Sequence, residues 1–233
     1  MPVDARCKHF RGVPRDSLSF YPAGPMPSRA YHEAIWQAVP RGLEPQHFKL
    51  RLRFLLGAVE PGARVLDLGC GEGAFAAELT RAGAQVLAVD VAEEPLRRAR
   101  AEHPDLSLQL IDGEGDWEVP DASFDLVWAG EVIEHVADTG RWLSEVRRVL
   151  RSGGRLLLST PRLGRAQLLA AALSDRAFAE RYDPLGDHLR FYSSATLRRL
   201  IAAYRFEQIS VRSAAGPPGA RRLLLASAVR ARF

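Results

Sequence analysis

Three side chains that could do chemistry together lie in the segment GEVIEHV, residues 130–136. Glu131, Glu134 and His135 are spaced so that a helix would place all three on one face. Two carboxylates and an imidazole packed together are costly unless they bind something, because charged groups lose hydration when they are crowded. The spacing therefore predicts a site for binding or proton transfer, and the rest of the chain must indicate what is bound.

A second group of candidate residues lies in VLDLGCGEGAF, where Gly69, Gly71 and Gly73 follow a short apolar run. A glycine-rich turn between a strand and a helix lets the backbone approach a ligand closely, with helix N–H groups pointing at it. Several kinds of nucleotide-binding protein share such a turn. Asp67 precedes the glycines, where a carboxylate would repel a pyrophosphate but attract an ammonium group. The pair of features therefore favours a ligand with an amino group.

Two further acids end the next two apolar runs. Asp90 follows Asp67 at about the 20-residue distance expected for an acceptor of ribose hydroxyls. Asp112 ends the third run, where it could accept a hydrogen bond from the exocyclic amine of adenine or simply form a turn. An ammonium group, a ribose and an adenine without phosphates together describe S-adenosylmethionine (SAM). The acids therefore predict SAM as the cofactor.

The elements that position these residues follow a regular alternation. Short apolar runs separated by helical segments predict a parallel sheet with helices on both faces, an α/β fold. FEQISVRS and RRLLLASAV read as a closing antiparallel hairpin within residues 206–229, and SSATLRRLIAAY as a helix with a serine cap. The predicted strands of the main sheet are 64–68, 86–90, 107–111, 124–128 and 155–159.

Composition and charge restrict the class of protein. The 233 residues are 47% hydrophobic and 26% charged, which is enough for one large domain with a core. Arginines are scattered among 28 acidic residues, so the net charge of +4 does not indicate a nucleic-acid partner. The chain has two distant cysteines, no apolar leader at its start, and no apolar run near the roughly 20 residues of a membrane span. We expect a cytoplasmic protein.

The motifs resemble, in order and spacing, the class I SAM-dependent methyltransferase family. The resemblance rests on VLDLGCGEGAF, VLAVD, DASFDLVWAGEVIEHV and RVLRSGGRLLLSTP, and it covers residues 61–161 closely and the remainder loosely. It implies a Rossmann-like doubly wound fold, with a mostly parallel sheet of seven strands whose last strand is antiparallel. It also implies that SAM binds at the carboxyl edge of strands one to four.

The resemblance assigns the cofactor residues by position. Asp67 and the three glycines would line the methionine end, Asp90 would hold the ribose and Val91 would pack on the adenine. The long segment DGEGDWEVPD leaves the acid at the adenine edge open between Asp112 and Glu114. The cofactor set that the resemblance implies is Asp67, Gly69, Gly71, Gly73, Asp90, Val91, Asp112 and Gly113.

The resemblance also suggests a distant residue that would act together with the segment GEVIEHV. ExxEH followed by a distant DH, here His188, resembles two metal-dependent groups, the quinone-biosynthesis 3-O-methyltransferases and the small-RNA 3′-terminal 2′-O-methyltransferases. Glu131, Glu134, His135 and His188 would then hold Mg²⁺, Mn²⁺, Fe²⁺ or Zn²⁺, with Glu131, His135 and His188 as catalytic residues. Without metal, either histidine could act as general base. Alternatively, Glu134 and His135 only shape the local turn.

Histidines outside this motif have no comparable partners in the sequence. We therefore interpret His9, His32, His47 and His103 as surface or structural residues.

The expected activity is methyl transfer to a small-molecule acceptor, most simply a hydroxyl oxygen, by a domain at residues 61–233. Residues 1–60, an N-terminal arm and two lead-in helices, and a helical insert at about 162–192 would form the lid over the acceptor. Three alternatives stay open: methylation of a nitrogen or carbon atom of the acceptor, a non-catalytic SAM-binding protein, and an RNA methyltransferase. The RNA enzyme would need a basic groove, for which the candidates are Arg162, Arg165, Arg190, Arg221 and Arg222.

Overall fold

One mixed sheet organises the part of the chain that the computed structural model describes, residues 28–113, 116–182, 187–217 and 220–232. Its seven strands within those residues are β1 Arg64–Leu68, β2 Gln85–Asp90, β3 Ser107–Leu110, β4 Phe124–Gly130, β5 Leu150–Pro161, β6 Phe206–Ala214 and β7 Leu223–Arg230. Their order is β3-β2-β1-β4-β5-β7-β6, and β7 pairs antiparallel with both neighbours while the other pairs are parallel. The predicted fold class is confirmed.

Helices connect the strands and cover both faces of the sheet. They are α1 Ser28–Ala38, α2 Phe48–Leu56, α3 Ala74–Arg81, α4 Glu93–Glu102, α5 Thr139–Val149, α6 Arg165–Leu173, α7 Asp175–Arg181 and α8 Ser194–Ala203. The predicted serine cap of α8 is present, since the Ser193 hydroxyl accepts a hydrogen bond from the Thr196 N–H at 3.2 Å. Within the described residues, no helix is long and apolar enough to cross a membrane.

The two faces of the sheet bury two different apolar clusters. Successive side chains of a strand point to opposite faces, so neighbours in β1 belong to different cores. Val65 clusters with Leu55 of α2 and Phe75 of α3, whereas Leu66 clusters with Leu143 of α5. At about 1.5–3 kcal/mol for each fully buried aliphatic side chain, these layers hold the parallel strands in register.

The strand register brings the candidate residues to one edge. Leu68 at the end of β1 pairs with Val89 of β2 and with Ala129 of β4, and Gly130 pairs with Ser159 of β5. The residues that follow these strand ends therefore meet at the carboxyl edge, where open α/β sheets bind ligands.

The segment GEVIEHV is not a helix, so the helical face suggested by its spacing does not form. Glu131 has a φ of 60°, and residues 133–135 form a turn. The helix begins only after Asp138, whose Oδ1 accepts hydrogen bonds from the N–H groups of Gly140 and Arg141, both at 2.9 Å. A left-handed residue directly after β4 and a side-chain cap at Asp138 divide the segment into strand, turn and helix.

Residues 187–192, which we call the return segment, bring the chain back to this turn. The N–H groups of Leu189 and Arg190 both donate to the carbonyl oxygen of Glu134, at 2.8 and 3.1 Å. Farther along, the Leu163 N–H donates to the Tyr192 carbonyl at 2.8 Å. The predicted helical insert thus contains two helices, α6 and α7, and ends in an extended stretch fixed by main-chain hydrogen bonds.

Three sequence predictions fall outside the described residues. They concern the N-terminal arm within residues 1–27, His9, and the alternative adenine acid Glu114.

Candidate active site

The glycine loop after β1 faces the turn after β4. Gly69 and Gly71 have φ angles of 73° and 56°, a left-handed backbone that side chains other than glycine rarely adopt. A Cβ added at Gly69 would lie 2.5 Å from a methyl group of Val132. The loop therefore has to be glycine both for its backbone and for its close approach to the neighbouring turn.

Asp67 lies beneath this loop and is only 1% exposed. Its Oδ2 atom has no hydrogen-bond partner. Burial raises the pKa of Asp67 to about 7, an effect that Arg51 opposes and Asp90 reinforces. A buried carboxylate with an open oxygen is suited to a cationic ligand group.

Arg51 of α2 is a cation close to Asp67. The sequence pattern did not lead us to predict it. It is 3% exposed, its Nη1 donates to the Gln46 carbonyl at 3.2 Å, and its Nε has no partner. The guanidinium lies 4.8 Å from the centre of the Phe75 ring. Burial lowers the pKa of Arg51, while Glu131 and Glu134 raise it.

One sequence signal could have identified this arginine. Arg51 stands three residues after Phe48 and four before Leu55, which are positions on the apolar face of α2. A charged residue on the apolar face of a helix indicates a buried charge with a functional or structural partner.

Asp90 closes β2 on the other side of the loop and is 6% exposed. Its two oxygens accept hydrogen bonds at 3.0 Å from the N–H groups of Gly71 and Ala92. Burial raises the pKa of Asp90, and these hydrogen bonds oppose the rise. The next predicted residue, Val91, is half-buried, while Asp112 beyond β3 is exposed.

Glu134 is the most buried acid of the motif turn, at 1% exposure. Its Oε2 accepts a hydrogen bond from the Thr160 hydroxyl at 2.9 Å, and its Oε1 has no partner. Burial, followed by the neighbouring Glu131, raises the pKa of Glu134 well above its usual range. Glu131 itself accepts a hydrogen bond from the Ser159 hydroxyl at 2.9 Å.

His135 is oriented by the return segment. Its Nδ1 lies 2.9 Å from the Asp187 carbonyl oxygen, which can only accept, so Nδ1 carries the hydrogen. In the neutral ring Nε2 then holds the lone pair, and it lies 4.0 Å from Glu134 Oε1. The ring centres of His135 and His188 are 4.9 Å apart.

The structure thus brings together three of the four predicted metal ligands. Ligand atoms of Glu134, His135 and His188 all lie within 4.8 Å of one another. Glu131 is adjacent but is not part of that group.

His32, which we interpreted as a surface or structural residue, lies beside the motif turn. Its ring, on α1, meets the ring of His135 edge-on, with centres 6.1 Å apart. Burial, reinforced by His135 and opposed by Asp187, lowers the pKa of His32 to about 4. Burial likewise lowers the pKa of His188 to about 4. No local sequence pattern links His32 to a turn a hundred residues later.

Three of the five arginines suggested for a basic groove, Arg162, Arg190 and Arg221, donate to main-chain carbonyls. Side chains of Arg190 donate to the carbonyls of Val136 and Ala137, that of Arg221 donates to the Ser213 carbonyl, and that of Arg162 donates to the Arg221 carbonyl. These contacts are internal to the fold and favour a small acceptor over RNA.

Comparison with known sequences identifies relatives. Residues 66–158 match the family model described as a methyltransferase domain. A ubiquinone biosynthesis O-methyltransferase of Xanthomonas axonopodis pv. citri (strain 306) is 36% identical over 145 residues, covering 60% of this chain and 60% of that enzyme. The enzyme of the same name from Bradyrhizobium sp. (strain ORS 278) is 36% identical over 130 residues, covering 54% of this chain and 51% of its own. The chain therefore spans between half and 60% of these relatives.

Solved structures share the fold. Phosphoethanolamine N-methyltransferase 2 of Haemonchus contortus, solved with SAM, has a TM-score of 0.69 at 18% identity and covers 91% of this chain and 62% of its own. A SAM-dependent methyltransferase of Mesorhizobium loti has a TM-score of 0.61 at 23% identity and covers 81% of this chain and 99% of its own. At these identities the likeness establishes the fold.

Proposed function

We propose that this chain is a class I SAM-dependent methyltransferase, as the methyltransferase-domain match and the O-methyltransferase relatives support, and that it transfers a methyl group from SAM to a hydroxyl oxygen of a small-molecule acceptor. The observation that carries the proposal is the open Oε1 of Glu134 beside the Nε2 of His135. These two polar atoms adjoin the glycine loop, so a hydroxyl bound there would face the methionine end of a cofactor seated on the loop. The relatives named O-methyltransferases support the same reaction class.

The residues beneath the loop fit the methionine end of SAM. That end carries both an ammonium and a carboxylate, so it needs an anion and a cation side by side. Asp67 offers an unpaired Oδ2, and Arg51 offers an unpaired Nε. We assign Asp67 to the ammonium group and Arg51 to the carboxylate, because each would complete a hydrogen-bonding capacity that the protein alone leaves open.

The adenosine end would lie along β2 and β3. Each oxygen of the Asp90 carboxylate accepts one main-chain N–H and keeps a second lone pair for a ribose hydroxyl. Val91, half-buried after Asp90, would pack on the adenine, with Asp112 and Gly113 flanking the base.

SAM supplies an electrophilic sulfonium methyl group, whose transfer to oxygen leaves S-adenosylhomocysteine and releases the hydroxyl proton. In the absence of a cation, His135 would accept that proton at Nε2, because its Nδ1 hydrogen is held by the Asp187 carbonyl; with a cation bound, the same Nε2 would be the ligand atom.

The same residues fit a divalent cation. Glu134, His135 and His188 present one carboxylate oxygen and two imidazoles within 4.8 Å, and Glu134 Oε1 has no partner in the protein. We propose that these three hold the cation, with Glu131 close enough to contribute. A cation there supplies positive charge that lowers the pKa of the acceptor hydroxyl and orients it.

The test is methyl transfer from labelled SAM to a panel of catechols and related vicinal diols, with short RNAs in parallel. We expect a labelled catechol product, abolished by EDTA and restored by a divalent cation. His188→Ala should reduce turnover at least a hundredfold, whereas His103→Ala, a matched control at the end of α4, should not. Full-rate transfer by metal-free protein would refute the cation, labelled RNA would refute the acceptor class, and SAM binding without any transfer would refute the activity.

A further inference from the structure

The outer strands β7 and β6 pack against a helix on one face of the sheet and border a groove on the other. Leu224 of β7 lies in the same apolar cluster as Leu197 and Ile201 of α8. Its neighbours in the strand point to the opposite face, since side chains alternate along a strand. On that face Leu225 and Ser227 line a groove of about 720 Å³ whose other wall is α2.

The helix α2 presents a side to this groove that differs from the side near the cofactor residues. Leu50, Arg53 and Phe54 line the groove, and their spacing places them on one face of the helix. Leu50 is 37% exposed, Arg53 is exposed and Phe54 is half-buried. Arg51, the cation close to Asp67, is buried instead. The groove is therefore separate from the candidate active site.

The charged side chains that line the groove, among the residues that the structure describes, are all arginines. They are Arg53 of α2, Arg155 of β5, Arg212 of β6 and Arg221 just before β7. Within the same residues, none of the four forms an ion pair with a carboxylate, whereas Arg151 at the start of β5 pairs with Asp125. Four like charges around one groove repel one another, so an anionic partner would stabilise them.

Two of these arginines are held at the groove by contacts within the protein. The Arg212 guanidinium lies 5.5 Å from the centre of the Phe54 ring, a cation–π contact between β6 and α2. The Nη1 atom of Arg221 donates to the Ser213 carbonyl at 2.8 Å. Because a guanidinium has five N–H donors, both side chains keep donors for the carboxylates of a ligand.

The side chains between the arginines distinguish two kinds of anionic partner. Grooves that hold single-stranded nucleic acid combine basic residues with aromatic rings on which the bases stack. Phe54 is the only aromatic residue in the described lining, and its ring already contacts Arg212. The remaining apolar lining includes the aliphatic side chains of Leu50, Leu157 and Leu225, which suit the apolar side chains of a peptide. The groove therefore fits a protein segment that is both acidic and apolar.

Charge also argues against occupants supplied by this chain. Residues 1–27 contain four basic and two acidic residues, so they would add positive charge to the groove. A second copy docked by two-fold symmetry at this face would bring the same four arginines against the first set. Both occupants would increase the repulsion that an acidic partner would relieve.

We propose that this groove binds an amphipathic helix of a partner protein, with acidic side chains against the four arginines and apolar side chains over Leu50 and Leu225. The bound helix would cover the second face of β7 and β6, as α8 covers the first. The inference does not rest on the proposed function, because the residues that line the groove are not those of the candidate active site.

The test ligand is a synthetic helix of leucine and glutamate, about 18 residues long, with its leucines on one face and a fluorescein label. Its binding to the full chain is measured by fluorescence anisotropy. Arg155→Glu and Arg212→Glu should each weaken binding about tenfold or more, because each replaces an attraction with a repulsion. Arg199→Glu, a matched control at an exposed arginine of α8 outside the groove, should bind within about twofold of the wild type. All three variants should keep the urea unfolding and the S-adenosylhomocysteine affinity of the wild type.

Equal affinity of the wild type and both groove variants for this peptide overturns the inference, as does failure of the wild type to bind it. The same peptide with its leucines distributed around the helix should bind about tenfold more weakly, and equal binding overturns recognition of an amphipathic face. A uridine oligonucleotide that binds more tightly than the peptide, and loses affinity in the same variants, would identify an RNA surface instead. Dimerisation of the wild type that is lost in Arg212→Glu would identify a second copy as the occupant.

Discussion

Replacing Asp67 with asparagine should make the cofactor-free protein more stable above neutral pH and less able to bind its cofactor. Asp67 is 1% exposed, and burial raises its pKa from 3.8 to about 7. The folded state therefore holds this proton more tightly than the unfolded state does. The favourable contribution of the protonated Asp67 carboxyl to the free energy of unfolding is complete below pH 3.8 and is lost as the pH rises through 7.

The magnitude follows from that change in pKa. At 1.36 kcal/mol per pH unit, the ionised carboxylate costs the folded state about 4 kcal/mol above pH 7. The substituted amide does not ionise, so the stability of Asp67→Asn relative to wild type should rise by about 1.4 kcal/mol per pH unit between pH 4 and 7, then level off. An unpaired amide nitrogen at this site subtracts a constant of about 1–2 kcal/mol without altering the slope.

Urea unfolding of both proteins at pH 5, 6, 7 and 8 measures this difference directly. Asp116→Asn, at an exposed surface carboxylate, controls for the loss of one negative charge. Binding of S-adenosylhomocysteine should weaken in Asp67→Asn by about 1.5–3 kcal/mol through loss of the ammonium contact. If the stability difference between Asp67→Asn and wild type is the same at pH 5 and pH 8, the carboxylate does not titrate as its burial requires and the reasoning fails.

Three further predictions concern single side chains. Asp90→Ala should weaken S-adenosylhomocysteine binding by about 1.5–3 kcal/mol in calorimetry, and an unchanged affinity would place the ribose elsewhere. Arg51→Met, which keeps the apolar stem, should lower the same affinity at least tenfold, and full affinity would remove Arg51 from the carboxylate. Asp138→Ala removes the cap of α5 and should cost about 0.5–2 kcal/mol in urea unfolding while leaving cofactor affinity within twofold, so a large affinity loss would contradict a purely structural cap.

The sheet could be predicted because its signals are local. Each strand is a short apolar run that ends at or just before a polar or glycine residue, such as Asp90 at the end of β2 and the glycines after β1, and such runs are buried on both faces wherever they pair. The ends were less predictable: β5 begins at Leu150, five residues before the predicted start, because the chain already pairs with Phe124 there. Pairing, which is not a local property, decides such boundaries.

The site was predictable in its residues but not in its geometry. Glu134, His135 and His188 come together although the segment is a turn, since main-chain hydrogen bonds rather than a helical face set their positions. His32 and Arg51 were missed because each is placed by the docking of a separate helix, and sequence spacing carries no record of that docking.

The return segment holds His188 in place separately from the helices α6 and α7 that precede it. It is held to the motif turn through main-chain groups, the N–H groups of Leu189 and Arg190 on the Glu134 carbonyl and the Asp187 carbonyl on His135. On the return segment these contacts use main-chain atoms, so they do not depend on the side chains of Asp187, Leu189 and Arg190. The helices α6 and α7 can therefore be exchanged, in evolution or by grafting, for segments with a different apolar surface while His188 stays in place. In the proposed function, the insert that carries α6 and α7 would contact the acceptor, while the return segment after it stays attached to the motif turn.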